Sequence, residues 1–543
     1  MKNVFMLFSY LFALVYSSFS QNIGIGTTTP LAKLHIKGTA GTSQLVIDAN
    51  SIQSNAQPLI KLRTSSGTEL LHIHSDDSTN TFIGLNTGRI NNALLNGLNN
   101  TFTGSYSGYS NTWGNSNTAT GSNTLRFNTT GYNNTATGRD ALYFNTSGGN
   151  NSAYGSSTLR LNSTANQNTA AGGNALYNNS TGNYNTATGS SVLIGNMTGN
   201  YNTANGSSAL NNNTSGSFNT ASGYTALSTN NASSNTSIGA NSLYNNSTGI
   251  YNTASGYEAL KGNTTGNYNT ATGMEALYKN PLGIGNTVNG FEAFYSFNGN
   301  AGDFNTGVGS YTLGNVLTSS YNTTLGSGAG SGSNFLMGWN NTLIGANTKA
   351  NAPGIFNSIA LGESALSSAN NQARIGNSFI TSIGGYVGWS NISDGRVKKN
   401  ISENVPGLAF INMLKPLNYN LDLEVVDRII QRPAKKDKDG NSIMTMPFET
   451  AARIQKEQIV YSGFIAQDVE KAAKELSYYF SGVDAAKNDN DLYGLRYAEF
   501  VVPLVKAAQE LSKQKDDLIK QNQELLKRIE KLEYILTSKN KTL

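Results

Sequence analysis

Residues 134–142 read Asn-Thr-Ala-Thr-Gly-Arg-Asp-Ala-Leu, and variants of this stretch return along the centre of the chain. Each copy begins with Asn-Thr-Ala-x-Gly or a close variant, and successive copies start 17 residues apart, with one step of 16. An apolar residue stands four positions after every motif glycine. The eleven copies start at Asn117, Asn134, Asn151, Asn168, Asn185, Asn202, Asn219, Asn235, Asn252, Asn269 and Asn286. Their apolar residues are Leu125, Leu142, Leu159, Leu176, Leu193, Leu210, Leu227, Leu243, Leu260, Leu277 and Phe294.

The repeat predicts how the chain folds, because a unit this short cannot enclose a hydrophobic core by itself. Units that stack on their neighbours bury the alanines and leucines in continuous interior columns. The motif glycine permits a positive φ at a corner, and stacked asparagines can hydrogen-bond along a column. We therefore predict a mostly β protein with an elongated β-solenoid or β-roll. Disorder is the competing interpretation for a segment this polar, and the regular apolar columns argue against it.

Composition divides the chain near residue 392. Residues 393–543 hold 24 Lys/Arg and 22 Asp/Glu, whereas the residues before them hold only 13 and 10. Neither part is strongly one-signed, which argues against nucleic acid as a partner. The chain has no Cys, which removes disulfides, thiol catalysis and Cys-ligated metals. Its glycine-rich stretches lack the strand and helix that flank a phosphate loop, so we predict no nucleotide and no cofactor.

The N-terminus resembles an export signal. Lys2 precedes an apolar run from Val4 to Tyr16, and Ser18-Phe19-Ser20 supplies a small-x-small site. This order is typical of a cleaved secretory signal peptide over residues 1–20. The run is too short for a comfortable membrane span. We predict a secreted or cell-surface protein without a transmembrane anchor; a buried N-terminal strand or helix is the alternative.

Beyond the regular copies, the period loosens into motifs that end at Gly326, Gly345, Gly362 and Gly376. This series is similar to the Asn-Ser-x-Ala-x-Gly repeat of trimeric autotransporter adhesin heads, which are parallel β-rolls packed three chains together. The resemblance covers roughly residues 80–385 and implies a trimer. The membrane-anchor barrel of those adhesins has no counterpart here, so autotransport is not implied. Residues 22–37 resemble an N-terminal motif of bacterial surface and tail-fibre-like proteins.

At the break in composition stands Ser393-Asp394-Gly395-Arg396-Val397-Lys398-Lys399-Asn400-Ile401. This stretch resembles the start of the intramolecular chaperone domain of phage endosialidases, tail spikes and fibres, a serine peptidase family. Its pattern Ser-Asp-x-Arg-(Leu/Val)-Lys-x-(Asn/Asp)-(Ile/Val) is met at every fixed position. Three further blocks match in order over about 150 residues: Leu414–Tyr419, Gly463–Glu470 and Tyr497–Leu511.

The resemblance implies roles for these residues. Ser393 is the nucleophile, the cleavage site is the Ile392–Ser393 bond, and Lys398 is the general base. An ammonium with a reference pKa of about 10.4 cannot accept a proton, so Lys398 must be desolvated or stand near another cation. Arg396 and Lys399 are supporting cations, and Asp394 is expected to cap the backbone or to pair with Arg396. Residues 423–458 look like a longer insertion than the phage domains carry, with an exposed hairpin tip at Lys435–Gly440.

The C-terminal helix predicts self-association without reference to any family. Leucines are spaced by seven residues, and a second seam position alternates with them, as in a coiled coil. A single amphipathic helix packed on its own domain is the alternative. Heptads do not distinguish a dimer from a trimer; the family resemblance favours a homotrimer. The two seams are Leu504, Leu511, Leu518, Leu525, Leu532, and Ala508, Lys515, Asn522, Ile529, Leu536.

The sequence gives weaker evidence for a metal site, a sugar-binding surface or a glycan-degrading site. His72 and His74 would share one strand face, but without a third ligand we interpret them as exposed strand residues and predict no metal. Tyr143, Tyr177, Tyr244 and Tyr278 can stack on sugars, although one tyrosine per turn is also typical of a solenoid surface. A glycan-degrading enzyme needs a carboxylate pair. Residues 101–300 contain only four acids, Asp140, Glu258, Glu275 and Glu292.

Together these features predict an exported trimeric fibre or adhesin. Its C-terminal domain drives trimerisation and folding of the shaft and then releases itself, as a single-turnover serine autopeptidase. A surface glycan or protein is the expected receptor. A purely structural fibre with an inactive chaperone, or a tail-spike-type enzyme, remains as the alternative. The expected regions are 1–20 (signal peptide), 21–100 (N-terminal β region), 101–300 (17-residue repeat shaft), 301–390 (adhesin-head-like repeats), 391–510 (chaperone) and 504–538 (coiled coil).

Overall fold

A computed structural model describes residues 53–295, 302–314, 319–331, 338–431 and 447–539, with scattered residues between 23 and 48. The predicted signal peptide and the predicted hairpin tip at Lys435–Gly440 lie outside the described residues. The chain divides into two compact units, Met1–Tyr201 and Asn202–Leu543. The protein is mostly β, and its solenoid has about 16 turns with the predicted 17-residue period, which confirms the fold class.

The strands are short, and most contain three residues. In chain order, β1 to β28 are Ile23–Ile25, Leu34–Ile36, Ile60–Arg63, Glu69–His74, Thr81–Ile83, Thr101–Thr103, Thr118–Thr120, Thr135–Thr137, Ser152–Tyr154, Thr169–Ala171, Thr186–Thr188, Thr203–Asn205, Thr220–Ser222, Thr236–Ile238, Thr253–Ser255, Thr270–Thr272, Thr287–Asn289, Thr306–Val308, Thr323–Leu325, Thr342–Ile344, Lys349–Ala350, Ile359–Leu361, Leu366–Ser367, Ala373–Ile375, Leu417–Tyr419, Tyr461–Gly463, Val483–Asp484 and Gly494–Leu495.

In the first unit, the antiparallel strands β3, β4 and β5 lead into parallel turns. From β5 to β11 each strand pairs in parallel with the equivalent strand of the next turn, so that Ala136 lies opposite Ala153. The middle residue of each of these strands from β5 to β11 is buried, because strand side chains alternate between the two faces. The second unit has a parallel ladder of the same kind, which runs from β12 through β20 to β22 and β24.

The motif glycines are required where consecutive turns approach most closely. Gly138 has φ 126°, and a Cβ added to it would lie 2.4 Å from the carbonyl oxygen of Gly155. Four residues later, Leu142 is fully buried yet has φ 50°. A leucine in the left-handed region carries a steric cost of about 1–2 kcal/mol. Its complete burial in the apolar column offsets that cost.

Two columns of fully buried asparagines hold the turns together, as the sequence predicts for stacked asparagines. In one column Asn145 Nδ2 donates to Asn128 Oδ1 (2.7 Å) and to the Gly148 carbonyl (2.9 Å), while Asn162 donates to Asn145 Oδ1 (2.7 Å). The other column contains the motif asparagines, such as Asn134, which is bonded to Asn117. Burying an amide is costly unless it is hydrogen-bonded, and the regular spacing of these turns brings each of the amides named here to a partner.

The C-terminal domain, residues 393–539, is α+β. Its helices α1 to α5 are Leu408–Ile411, Leu423–Ile429, Pro447–Glu457, Ala466–Glu475 and Val501–Lys539. β25 pairs with β26 and β27 with β28, both antiparallel. The aromatic residues Phe410, Phe480 and Phe500 form the core together with one face of α4. The long C-terminal helix is therefore present as predicted.

Candidate active site

A tight turn, residues 393–398, opens the C-terminal domain; we call it the cleavage turn. Gly395–Val397 forms a single 3₁₀ turn, and the carboxylate of Asp394 caps it by accepting from the Arg396 backbone N–H (2.9 Å). The backbone N–H of Lys398 donates to the Gly395 carbonyl over 3.2 Å. The chain thus folds back on itself over five residues, and Lys398 returns to the residue that precedes Asp394.

Lys398 and Ser393 meet across this turn. The Nζ of Lys398 donates to the Oγ of Ser393 over 2.9 Å. Both residues are exposed, and the side chain of Ile392, before the predicted scissile bond, is 91% exposed. The arrangement places an amine within hydrogen-bonding distance of the hydroxyl that follows the predicted scissile bond. Contact between a nucleophile and a base is one of the requirements for acyl transfer.

The other charged residues of the cleavage turn have separate partners. Arg396 forms a two-pronged pair with Asp394, with Nε and Nη2 at 2.9 and 2.5 Å from Oδ2. The hydrogen bonds from Arg396 hold the pKa of Asp394 below its usual value, and Asp394 raises the pKa of Arg396. Asp394 therefore stays ionised as a cap and ion-pair partner. Lys399 is exposed beside them.

The segment that contains the cleavage turn is rich in apolar residues, and these are exposed to solvent in the single chain. We call residues 380–401 the apolar linker. Trp389 is 88% exposed. A run of large apolar side chains open to water marks a surface that another molecule covers. The exposed members are Ile380, Ile383, Tyr386, Val387, Trp389, Ile392, Val397 and Ile401.

The later sequence blocks provide contacts within the C-terminal domain. Gly463 ends β26, and a Cβ there would lie 2.3 Å from the hydroxyl of Tyr497. That hydroxyl accepts from the backbone N–H of Phe464 over 3.3 Å. Glu510 of α5 accepts from the backbone N–H of Leu408 at the start of α1 (2.7 Å). The matched blocks are thus contact points between elements that lie far apart in the sequence.

The second unit also joins the domain to the end of its own solenoid, through residues that the sequence analysis did not identify. Asp491 is buried and accepts from Ser368 Oγ (2.7 Å) and Arg374 Nη2 (3.2 Å) in the last turns. Burial opposes its charge, but hydrogen bonds, first among them that of Ser368, outweigh burial and lower the pKa of Asp491. Lys456 donates to the Ile380 carbonyl over 2.7 Å. No local motif marks these residues.

Helix α5 extends beyond the domain, and the apolar seam along this part of the helix is exposed to solvent. From Leu511 to Ser538 every described residue of the helix is exposed, and the predicted seam leucines are among them. Because helix side chains seven residues apart lie on one face, these leucines form a continuous stripe. The single chain leaves this stripe uncovered.

The interpretation of His72 and His74 as exposed is wrong. Both are buried: His74 lies directly opposite the buried Phe82 in the pair of β4 with β5, and His72, two residues earlier, shares that face of the strand. His72 Nδ1 lies 3.2 Å from Asn55 Oδ1, and His74 packs on Phe82 with ring centres 5.3 Å apart. Burial lowers the pKa of His74 to about 4. Within the described residues, no group of three or more His, Cys, Asp or Glu side chains could hold a metal ion.

Residues 393–478 match the peptidase family model described as the chaperone of endosialidase. The chain thus carries this domain after its β-solenoid, as the resemblance implied. The combination fits a fibre protein with a C-terminal chaperone. The family implies autoproteolytic serine peptidase activity and oligomeric assembly in general terms. No curated protein matches this chain. None of the helices in the described part of the chain combines the length and apolarity that a membrane crossing needs.

Proposed function

We propose that this protein is an exported, homotrimeric surface fibre whose C-terminal domain aligns three solenoids and then separates from them by cutting the Ile392–Ser393 bond. The observation that carries the proposal is the 2.9 Å contact between Lys398 Nζ and Ser393 Oγ at the first residue of the matched domain. A Ser–Lys pair can transfer an acyl group without histidine. No histidine follows His74 in this sequence.

Cleavage begins when the neutral amine of Lys398 takes the proton of the Ser393 hydroxyl. Oγ forms a bond to the carbonyl carbon of Ile392, and the bond from that carbon to the Ser393 nitrogen breaks as the nitrogen gains the proton. The product is an ester between Ile392 and the Ser393 side chain. Water hydrolyses this ester to give a carboxylate on Ile392 and a free hydroxyl on Ser393. Each chain turns over once, because the scissile bond is its own.

The reaction waits for assembly. In the single chain both reacting side chains are exposed. Burial disfavours the charged form of an amine. Packing of three apolar linkers against one another would supply that burial on both sides of the scissile bond. In this proposal Arg396 and Lys399 add cationic charge near Lys398, while Asp394 holds the turn in shape.

Three copies of α5 would meet along the exposed leucine seam. Each seam leucine is about half exposed or more in the single chain, so coiled-coil contact would bury a large apolar area per helix. Asn522 lies within the second seam, where a polar side chain fixes register at some cost in stability. The family implies oligomers in general terms, and three is the number that the adhesin-head resemblance favours.

Register matters because a repetitive shaft can mispair by one 17-residue step at little local cost. The C-terminal domain is held to the last solenoid turns by Asp491, Ser368 and Arg374. Three domains clamped by their helices would therefore bring the ends of three solenoids to the same level. Hydrolysis afterwards makes assembly kinetically irreversible, because the C-terminal domain is then no longer covalently attached to the shaft.

In this proposal residues 1–20 direct export, and the mature shaft displays its surface to a glycan or protein receptor. The first experiment measures intact masses and the molar mass by light scattering on the purified full chain. We expect a fragment of residues 393–543 and a trimeric assembly. Ser393→Ala and Lys398→Met should remain intact and still assemble. Lys399→Met should slow cleavage, whereas Lys471→Met, which removes an exposed charge from α4, should leave it unchanged.

Two results would oppose the proposal in different ways. An uncut wild-type trimer would favour the purely structural fibre, in which the chaperone is inactive. A monomeric full chain would contradict assembly itself.

A glycan-degrading activity is disfavoured because one of the few acids of the shaft is already paired with a lysine: Lys261 Nζ lies 2.8 Å from Glu258 Oε1.

A further inference from the structure

One surface column of the first unit alternates arginine and tyrosine. In the two turns before the regular copies, Gly84 and Gly104 stand where the motif glycine stands later. The fifth residue after the glycine of each turn lies at an equivalent position, and over six turns these residues are Arg89, Tyr109, Arg126, Tyr143, Arg160 and Tyr177. We call these residues the Arg–Tyr column. The sequence analysis noted Tyr143 and Tyr177 but not the arginines between them.

The column is stacked. The ring centre of Tyr143 lies 5.8 Å from the guanidinium carbon of Arg126 and 5.0 Å from that of Arg160. Nη1 of Arg89 donates to the Tyr109 hydroxyl (2.8 Å), and Nη1 of Arg160 to the Tyr177 hydroxyl (3.1 Å). These contacts fix the side chains before any ligand arrives, which lowers the entropy cost of binding.

The positive charge of the column is not neutralised. Residues 84–201 contain four arginines, no lysine and a single acid, Asp140, which lies 3.6 Å from Arg139 outside the column. Within the described residues, none of the three column arginines has an ion-pair partner, and their Nη2 atoms have no hydrogen-bond acceptor. At the equivalent position of the second unit, Lys261 is paired with Glu258.

Two aromatic rings flank the column on the next position of the turn. Phe127 and Phe144 are parallel, with ring centres 5.4 Å apart and an angle of 6°. They are 36% and 39% exposed, so part of each ring is open to solvent. Exposed flat rings beside hydrogen-bond donors suit a ligand with both apolar ring faces and polar edges, as a pyranose has.

We propose that the Arg–Tyr column binds a linear acidic polysaccharide that carries one carboxylate per disaccharide. Turns are spaced by about 4.8 Å, so arginines on alternate turns repeat every ~9.6 Å. That length is similar to an extended disaccharide. Tyrosine rings stack on the column guanidiniums, but their Nη2 groups keep free N–H donors, from which a carboxylate can accept.

The spacing separates this ligand from nucleic acid. Duplex DNA carries one charge per ~1.7 Å of axis, far denser than the column. A neutral glycan would leave the guanidiniums unpaired. The inference deepens the proposed display role of the shaft by naming its receptor class. It depends on neither self-cleavage nor trimerisation, because all its residues lie in one chain.

The test is binding of the full-length Ser393→Ala chain, which cannot cut itself, to hyaluronan by calorimetry, with dextran and oligo(dT) as comparison ligands. We expect hyaluronan to bind and dextran and oligo(dT) to bind at least tenfold more weakly. Arg126→Gln and Arg160→Gln should each weaken hyaluronan binding about tenfold, the effect of one charge-assisted contact. Arg139→Gln removes the same charge from a neighbouring surface position and should change affinity less than about twofold.

Equal losses in Arg126→Gln and Arg139→Gln would overturn the proposal, because binding would then follow net charge alone. Equal affinity for oligo(dT), or no binding of hyaluronan, would overturn it as well. Thermal unfolding verifies that each variant folds. If Arg126→Gln unfolds, Arg126→Lys keeps the charge but loses the planar edge, and an intermediate affinity is expected. A wild-type chain that is uncut or monomeric but binds hyaluronan would refute the proposed function and leave this inference standing.

Discussion

Arg374, in the last strand of the solenoid, donates from Nη2 to Oδ1 of Asp491, a residue of the C-terminal domain 117 positions later in the sequence, over 3.2 Å. Ser368 donates to the same oxygen over 2.7 Å. A single buried carboxylate therefore collects donors from the final turns of the shaft. After cleavage at Ile392, this contact would still hold the two parts together, as would the hydrogen bond from Lys456 to the Ile380 carbonyl.

Asp491→Ala should weaken that contact. The variant removes the acceptor of several hydrogen bonds to a buried charge, and we expect a loss of about 2–4 kcal/mol in local stability. Hydrogen exchange should quicken in residues 366–376 and 484–494. Asp489→Ala removes an exposed carboxylate from the same loop and serves as the control. Unchanged exchange in Asp491→Ala would contradict the role given to this carboxylate.

The same contact should depend on pH. The pKa of Asp491 lies below its ordinary value of 3.8, so the contact is fully present above that value. It should be lost as the pH falls through the depressed pKa. Exchange measured between pH 5 and pH 2.5 should therefore approach that of Asp491→Ala only at the acid end. A contact that weakens on raising the pH would contradict this sign.

Adjacent glycines in one turn should respond oppositely to alanine. Gly172 has φ 135°, and a Cβ there would lie 2.2 Å from the Gly189 carbonyl oxygen, whereas a Cβ on Gly173 would meet nothing within 4 Å. We expect Gly172→Ala to cost at least about 2 kcal/mol through backbone strain and collision. Gly173→Ala should be neutral or stabilise by about 0.4–1 kcal/mol. Urea unfolding of the two variants measures both values; similar losses would contradict the close approach of these turns.

The stacked turns of the solenoid could be predicted from the sequence, because the 17-residue period indicates directly which residues lie above one another. The sequence did not predict the left-handed backbone of Leu142, because leucine avoids that region unless tertiary burial compensates. The pairing of Ser393 with Lys398 was predicted only by the family resemblance, in which the base is the lysine five residues after the nucleophile. The contact of Arg374 with Asp491 could not be predicted, because it depends on how the finished domain lies against the last strand.

The two histidines show a different limit. His72 and His74 alternate with apolar residues, a pattern that fits either face of a strand, and polarity favoured the exposed one. The register of β4 with β5, which places His74 opposite the buried Phe82, reverses that choice. The Arg–Tyr column was readable in principle by aligning the repeats at one position. Its arginines look like ordinary surface charges until the stacking geometry places them between rings.

Two glutamates of the second unit should affect stability with opposite signs. Burial, with Glu292 and Glu258 nearby, raises the pKa of Glu275. Glu258 is also disfavoured by burial, but hydrogen bonds from Lys261 and Tyr257 outweigh this and lower its pKa. A carboxyl with a raised pKa costs stability as the pH rises through that pKa, whereas one with a lowered pKa contributes stability above its ordinary value.

Glu275→Gln should therefore raise the unfolding temperature at pH 7, and the gain should vanish near pH 4, where the wild-type carboxyl is protonated. Glu258→Gln should lower it at pH 7, and this loss should shrink on acidification. Calorimetry of both variants across this range measures the two signs. If both variants shift the unfolding temperature in the same direction at pH 7, the electrostatic account of these two glutamates is wrong.

The last prediction concerns the seam of α5. Leu525 lies on the leucine seam and is 52% exposed in the single chain, whereas Gln523 lies two residues earlier on the opposite side of the heptad. Leu525→Lys would place three ammonium groups in the centre of a bundle, where desolvation and mutual repulsion both oppose assembly. Gln523→Lys adds the same charge at an outer position. We expect the first variant to be monomeric by light scattering and to remain uncut, because the linker is never buried. The second should assemble and cleave as the wild type does. A monomeric Leu525→Lys chain that still cuts at Ile392 would separate the two events: the 2.9 Å pair of Ser393 and Lys398 would then react without assembly.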